Sequence, residues 1–140
     1  IFMVVIFQGP RGGKLNEGLE AYATLAIKSF AQQLKINRLK TLIEVNFHHS
    51  VWVDREKTAE GLCEAVNKRH FIINVALYGN WVSTLAHEMV HVKQFARNEL
   101  NDQLTFWKGR NHSSTDYCDQ PWEKEARRLQ HKLVQEFDLN

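Results

Sequence analysis

Apolar residues recur three or four positions apart from Leu15 through Leu19, Tyr22, Ala26 and Phe30 to Leu34, the period of a helix that buries one face. This spacing predicts an amphipathic helix over roughly 15–35, with Tyr22 and Phe30 in the core. The pattern then moves toward alternation. Leu42 to Phe47 reads as a strand, Val51 to Val53 and Leu62 to Val66 carry weaker strand signals, and Phe71 to Leu77 a stronger one. Asn67-Lys68-Arg69-His70 suits a hairpin connection, so a small mixed or antiparallel sheet with at least one antiparallel pair is expected. Helical spacing returns after Gly79-Asn80, with Asn80 or Ser83 available as N-cap, and continues to about Arg97. A last helix opens at Asp119-Gln120-Pro121, where Pro121 suits the first turn, and carries Ala126, Leu129, Leu133 and Phe137 along one side. Residues 98–119 keep no steady period and read as a long loop, a length more typical of functional than of passive connections.

These elements describe an α+β chain of 140 residues, expected as one domain over 1–140 that can bury a core without disulfide or metal staples. A metal would therefore serve chemistry before it served the fold. Residues 1–13 are expected to form an N-terminal strand or packed arm. The apolar run Ile1 to Phe7 is far shorter than the roughly 20 residues that span a bilayer, and it has neither a basic leader nor a small-residue cleavage pattern. Phe7-Gln8-Gly9-Pro10 also looks like a viral-protease tag-cleavage site, which would make part of this arm foreign to the native chain.

Composition narrows the function classes. A net charge of +2, from 18 basic and 16 acidic residues, is too slight for a dedicated nucleic-acid binder. Lys35, Arg38 and Lys40, and Lys68 with Arg69, read as solvated turns. Cys63 and Cys118 follow no metal or redox spacing and read as reduced thiols, which points to a cytoplasmic protein, taken as a monomer without membrane contact.

The chemistry lies in Thr84-Leu-Ala-His-Glu-Met-Val-His-Val-Lys-Gln94. Positions i and i+4 of a helix share a face, so His87 and His91 can aim imidazole nitrogens at one point. Glu88 falls beside that point, where a carboxylate can take a proton from a metal-activated water and pass it to a leaving amine. Two histidines do not complete a catalytic zinc site, which needs a third protein ligand. Glu123, in the first turn of the last helix, is one candidate, with Arg127 one turn later to steady it or line the cleft; Glu125 points elsewhere and is weaker. His112, in the long loop, is the rival. Tyr117 is a candidate oxyanion donor, Gln94 a candidate support for His91, and Trp122 a packing residue beneath the site.

At these residues the chain resembles the gluzincins, zinc metallopeptidases in which HExxH is followed by a glutamate ligand on a later helix. More narrowly, Leu85-Ala-His-Glu-Met-Val-His-Val-Lys-Gln94, Trp107-Lys-Gly109 and Tyr117-Cys-Asp-Gln-Pro-Trp-Glu-Lys-Glu-Ala126 resemble small SprT-like and phage-encoded metallopeptidases, over roughly residues 70 to 130. The resemblance implies a zincin-like minimal catalytic domain, zinc held by His87, His91 and Glu123, and Phe71 to Leu77 as the strand on the cleft rim to which a substrate peptide adds. SprT proteins themselves take a histidine soon after HExxH as third ligand; this chain has none at that spacing.

The expected function is therefore zinc-dependent hydrolysis of a protein or peptide substrate. Two other readings compete with it: a zinc-containing module that binds peptides without cutting them, and an SprT-like protease acting on DNA-associated proteins.

Overall fold

The computed structural model describes residues 3–54 and 58–139. Its centre is a four-stranded mixed sheet in the order β1 (Val4–Gln8), β2 (Leu42–His48), β6 (His70–Ala76), β5 (Gly61–Asn67). β1, β2 and β6 run parallel, and β5 pairs antiparallel with β6 through the expected hairpin. Two short strands, β3 (Val51–Trp52) and β4 (Thr58–Ala59), form a separate ladder. The apolar run at the N-terminus is thus an edge strand of the main sheet; Ile1 and Phe2 lie outside the described residues.

Alternation explains which face is buried. Ile43, Val45 and Phe47 of β2 and Phe71, Ile73 and Val75 of β6 are fully buried, while Glu44, Asn46, His48, His70 and Asn74 occupy the other face. There Glu44 contacts His70, and His48 Nε2 lies 2.7 Å from Asn74 Oδ1. Side chains facing each other across neighbouring strands keep the polar face satisfied.

The helices cover the apolar face. α1 (Glu17–Gln33) starts at Asn16, whose Oδ1 accepts the Leu19 backbone N–H at 3.1 Å, and buries Ala23, Ala26, Ile27, Phe30 and Ala31. Burying Phe30 contributes about 2 to 3 kcal/mol. Tyr22, expected in the core, stays half exposed because it sits at the border of the helical layer; its ring still meets Trp81 and Phe137 edge-on. α2 (Trp81–Ala96) is capped by Asn80 and lies between the sheet on one side and α1 and α3 (Pro121–Asp138) on the other. A helix enclosed on both sides must bury polar residues if it has any on those faces, and α2 buries Glu88, His91 and Gln94.

Residues 98–119 are less irregular than the sequence suggests. They contain a two-stranded ribbon, β7 (Phe106–Trp107) with β8 (Arg110–Asn111), and a 3-10 turn at Tyr117–Asp119. Asn101 organises this segment: its Oδ1 accepts from the backbone N–H groups of Thr105 and Phe106, both at 2.8 Å. Such side-chain-to-backbone bonds replace a periodic pattern, so periodicity cannot reveal them. Among the described residues no helix is long and apolar enough to cross a membrane.

Candidate metal centre

His87 and His91 lie one turn apart on α2, their ring centroids 5.0 Å apart. Glu123 reaches both from the first turn of α3: Oε1 stands 3.0 Å from His87 Nε2, and Oε2 stands 3.3 Å from His91 Nε2. One ligand atom from each of the three residues lies within 4.8 Å of the others, so the group could hold a metal ion. Two ligands at about 2.0 to 2.1 Å from a tetrahedral ion are about 3.3 Å apart, close to both observed separations.

Hydrogen bonding at the far side of each imidazole supports the same reading. Gln94 Nε2 donates to the Trp122 carbonyl at 3.0 Å and to Glu125 Oε1 at 3.1 Å, which turns its own Oε1 toward His91 Nδ1 at 2.8 Å. His87 Nδ1 likewise faces Gln130 Oε1 at 2.6 Å, while Gln130 Nε2 donates to Ser83 Oγ. An amide oxygen accepts and cannot donate, so each Nδ1 carries the proton and each Nε2 of a neutral ring presents a lone pair. Two such lone pairs and a carboxylate converge on one point. Only protons or a cation can reconcile them.

The electrostatics agree. Burial works to lower His87 and His91, yet the hydrogen bonds to Glu123 and the charge of Glu88 raise both above the ordinary histidine value. Burial works to raise Glu123, and the two facing imidazoles overcome it, holding the carboxyl well below the usual carboxylate range. Glu88 is shifted the other way, chiefly by burial, against the pull of His91 and His87. It ligates nothing in this group and lines the cavity beside it, the position a general base needs.

The cleft itself is small, about 160 Å³, with Gly61, Leu62 and Cys63 of β5 on one wall and Leu104 and Tyr117 on the other. Tyr117 reaches it through the 3-10 turn, with its hydroxyl donating to Glu123 Oε1 at 3.3 Å. Among the described residues, the buried polar side chains are Thr41, Thr84, Glu88, His91, Gln94 and Glu123. Glu88, His91, Gln94 and Glu123 belong to this cleft or its supports, so the fold concentrates most of its polar burial in one place.

Several expectations change. His112 is not part of the group: its ring packs edge-on against Trp122 and its Nδ1 faces Thr115 Oγ1, so this side chain does not reach His87, His91 and Glu123. Arg127 does not reach Glu123. Its guanidinium donates to the Cys118 carbonyl at 2.8 Å and so braces the turn that carries Tyr117. Phe71 to Leu77 is not the rim strand either, because β6 is paired on both edges, by β2 and β5. Among the described residues, the strand beside the cleft with an unpaired edge is β5, whose weak sequence signal comes from Gly61, Cys63 and Ala65, small residues that let it lie close to α2.

Gln130 and Lys93 were not legible as parts of the site. Lys93 Nζ lies 2.9 Å from Glu125 and 2.7 Å from Glu99, tying α2 to α3 and to the following loop. Only the helical offset of His87 and Gln130 across two helices could have signalled the pairing, and that offset depends on the packing. No protein-family model, no curated protein and no solved structure matches this chain.

Proposed function

We propose that this protein is a zincin-like, zinc-dependent peptidase, on the strength of one observation: the Nε2 atoms of two imidazoles and a buried carboxylate converge beside a second, non-ligating buried glutamate. The donor set of two histidines and a carboxylate also suits ferrous iron. Glu88, directly after the first histidine and facing the same cleft, favours hydrolysis and hence zinc.

His87, His91 and Glu123 would hold the ion, which when bound supplies a Lewis acid for a peptide carbonyl and eases ionisation of water. The chain's own residues supply the rest. Glu88 takes the proton of the attacking water and returns it to the leaving amine; its raised proton affinity fits both tasks. Tyr117 offers a hydroxyl toward charge developing on the carbonyl oxygen. The free edge of β5 offers backbone N–H and C=O groups to an extended peptide beside the cleft.

The test is metal analysis of purified protein followed by mass-spectrometric readout of a peptide mixture, with and without a chelator. Glu88→Gln is expected to keep metal and fold while losing hydrolysis. Activity that survives complete metal removal would overturn this reading, and stable metal content with uncut peptides would favour a binding module instead.

A second reading draws on a different observation. Arg38 and Lys40, expected in one solvated turn, and Arg69, expected in another, line one cavity of about 840 Å³ with Val4, Leu39 and Leu42. Such a local basic patch favours an enzyme that works on proteins bound to nucleic acid. DNA affinity falling linearly with the logarithm of salt would support it.

A further inference from the structure

A second cavity continues the metal cleft along the same strand. Residues 61–63 of β5 border the cleft, and residues 65–68 border a cavity of about 440 Å³; Phe95, at the end of α2, lies between and lines both. The larger space is closed on its other side by the segment after α2.

Its interior is apolar where it is deepest. Phe95 and Leu100 are buried, Ala65 is half buried, and Phe106 stands half exposed at the mouth. Glu99 also lines it, but Lys93 already holds that carboxylate at 2.7 Å. Lys68 and Asp102 are exposed at the rim with opposite charges, so neither sign of ligand is favoured. A cavity of this size and lining takes a large neutral side chain.

The wall is built to keep its shape. Asn101 holds Thr105 and Phe106 through their backbone N–H groups, and the Lys108 N–H donates to the Glu99 carbonyl at 2.7 Å. The same segment contains left-handed backbone at Asn98, Leu104 and Lys108, with φ of 59°, 59° and 50°. Non-glycine residues in that region persist only where their surroundings enforce them.

We propose that this second cavity is a specificity pocket for a large apolar, preferably aromatic, side chain of the substrate, formed by Phe95, Leu100 and Phe106. The inference rests on the peptidase reading of the metal centre. A peptide laid along the free edge of β5 advances about 3.3 Å per residue, as β5 does. The cleft and the pocket are centred on strand positions about four residues apart. The recognised side chain therefore sits roughly three to five residues from the cleaved bond, on one side of it only.

The experiment is digestion of a randomised peptide library by the zinc-loaded protein, with every cut site sequenced by mass spectrometry. Phe, Tyr, Trp, Leu or Met is expected to exceed Gly, Ser and Asp at one position in that window by about tenfold or more. Phe106→Ala is expected to reduce that ratio severalfold while the cleaved bond stays in register with it. Cutting with no preference in the window, or a preference untouched by Phe106→Ala, would overturn the pocket. If wild-type protein cuts no library peptide, the peptidase reading fails instead. Retention of library peptides on the immobilised zinc-loaded protein then reads the pocket directly, and retention without aromatic enrichment would overturn it too.

Discussion

Gln94 Oε1 lies 2.8 Å from His91 Nδ1, three residues away on α2, while the amide nitrogen of the same side chain is held by Trp122 and Glu125 of α3. One fully buried amide thus sets the tautomer of a candidate ligand and locks it to the helix that carries the third. Gln94→Ala removes the acceptor and leaves its buried partners short of a donor. Zinc affinity is expected to fall roughly 10- to 100-fold, with a stability loss of about 1 to 3 kcal/mol. Gln130→Ala, at a less buried position, is expected to weaken zinc without a comparable loss in urea denaturation. A competition titration against a chromophoric chelator measures both; wild-type affinity in the two variants would refute the role.

Protons should compete with zinc for the two imidazoles of the metal-free site. Both imidazoles sit above the ordinary value of 6.5, so below that range they are charged and must lose a proton before they ligate. Glu123, held low, remains ionised and contributes no proton. Zinc affinity is therefore expected to rise with pH through the histidine range, approaching roughly a hundredfold per pH unit, and then to level off.

Stability follows with a definite sign. A raised histidine value stabilises the metal-free fold fully below 6.5, and that contribution is lost as pH rises through the folded values. Glu123 acts oppositely, its contribution present above 4.5 and lost as pH falls. The gain in melting temperature on adding zinc should thus grow between pH 5.5 and 8. A gain independent of pH would contradict the assignment of these histidines as ligands.

The sequence disclosed whatever depended on local period or local spacing. Helical repeats placed α1, α2 and α3, Asn80 capped α2 as a polar residue before an apolar run should, and the four-residue offset put His87 and His91 on one face. Glu123 was legible because a first-turn acid is fixed by its helix, whereas His112 and Glu123 could be separated only by packing. The rim strand was misplaced for a related reason. Phe71 to Leu77 has the stronger strand pattern because β6 is interior and buries every second residue; β5 is weaker in pattern because its inward positions are the small residues Gly61, Cys63 and Ala65. Strength of strand pattern reports burial within a sheet, not which strand lies at its edge.

Gly61 tests how closely β5 must approach α2, the helix that carries His87, Glu88 and His91. A Cβ there would come within 2.6 Å of Thr84 Cγ2 and 3.2 Å of Glu88 Oε2. Gly61→Ala is therefore expected to push β5 from α2 and cost about 1 to 3 kcal/mol, with hydrolysis falling more than zinc affinity because Glu88 is displaced while the ligands are not. Thr84→Ser deletes the methyl that clashes. The double variant should recover much of the loss, and a thermodynamic cycle by urea denaturation gives the coupling. Additive single effects would mean that the approach of Gly61 to Thr84 is not what constrains the strand.

Tyr117 separates support of the ligand from support of the reaction. Its hydroxyl donates to Glu123, and burial, then the charge of that carboxylate, pushes its ionisation up to about 12, so it remains a donor at any ordinary pH. If the hydroxyl only steadied Glu123, Tyr117→Phe would lower zinc affinity and leave the turnover of the loaded enzyme intact. If it also meets charge on the substrate carbonyl, the variant should bind zinc nearly as wild type, hold KM within a few-fold, and lose roughly tenfold to a thousandfold in kcat. Tyr117 is largely exposed, so loss of its hydroxyl is expected to leave the fold intact, and Arg127→Ala supplies a control. Releasing the turn at Cys118 should lower kcat through the same tyrosine, so combining it with Tyr117→Phe should add little. Full additivity of the two would place Arg127 in some other role.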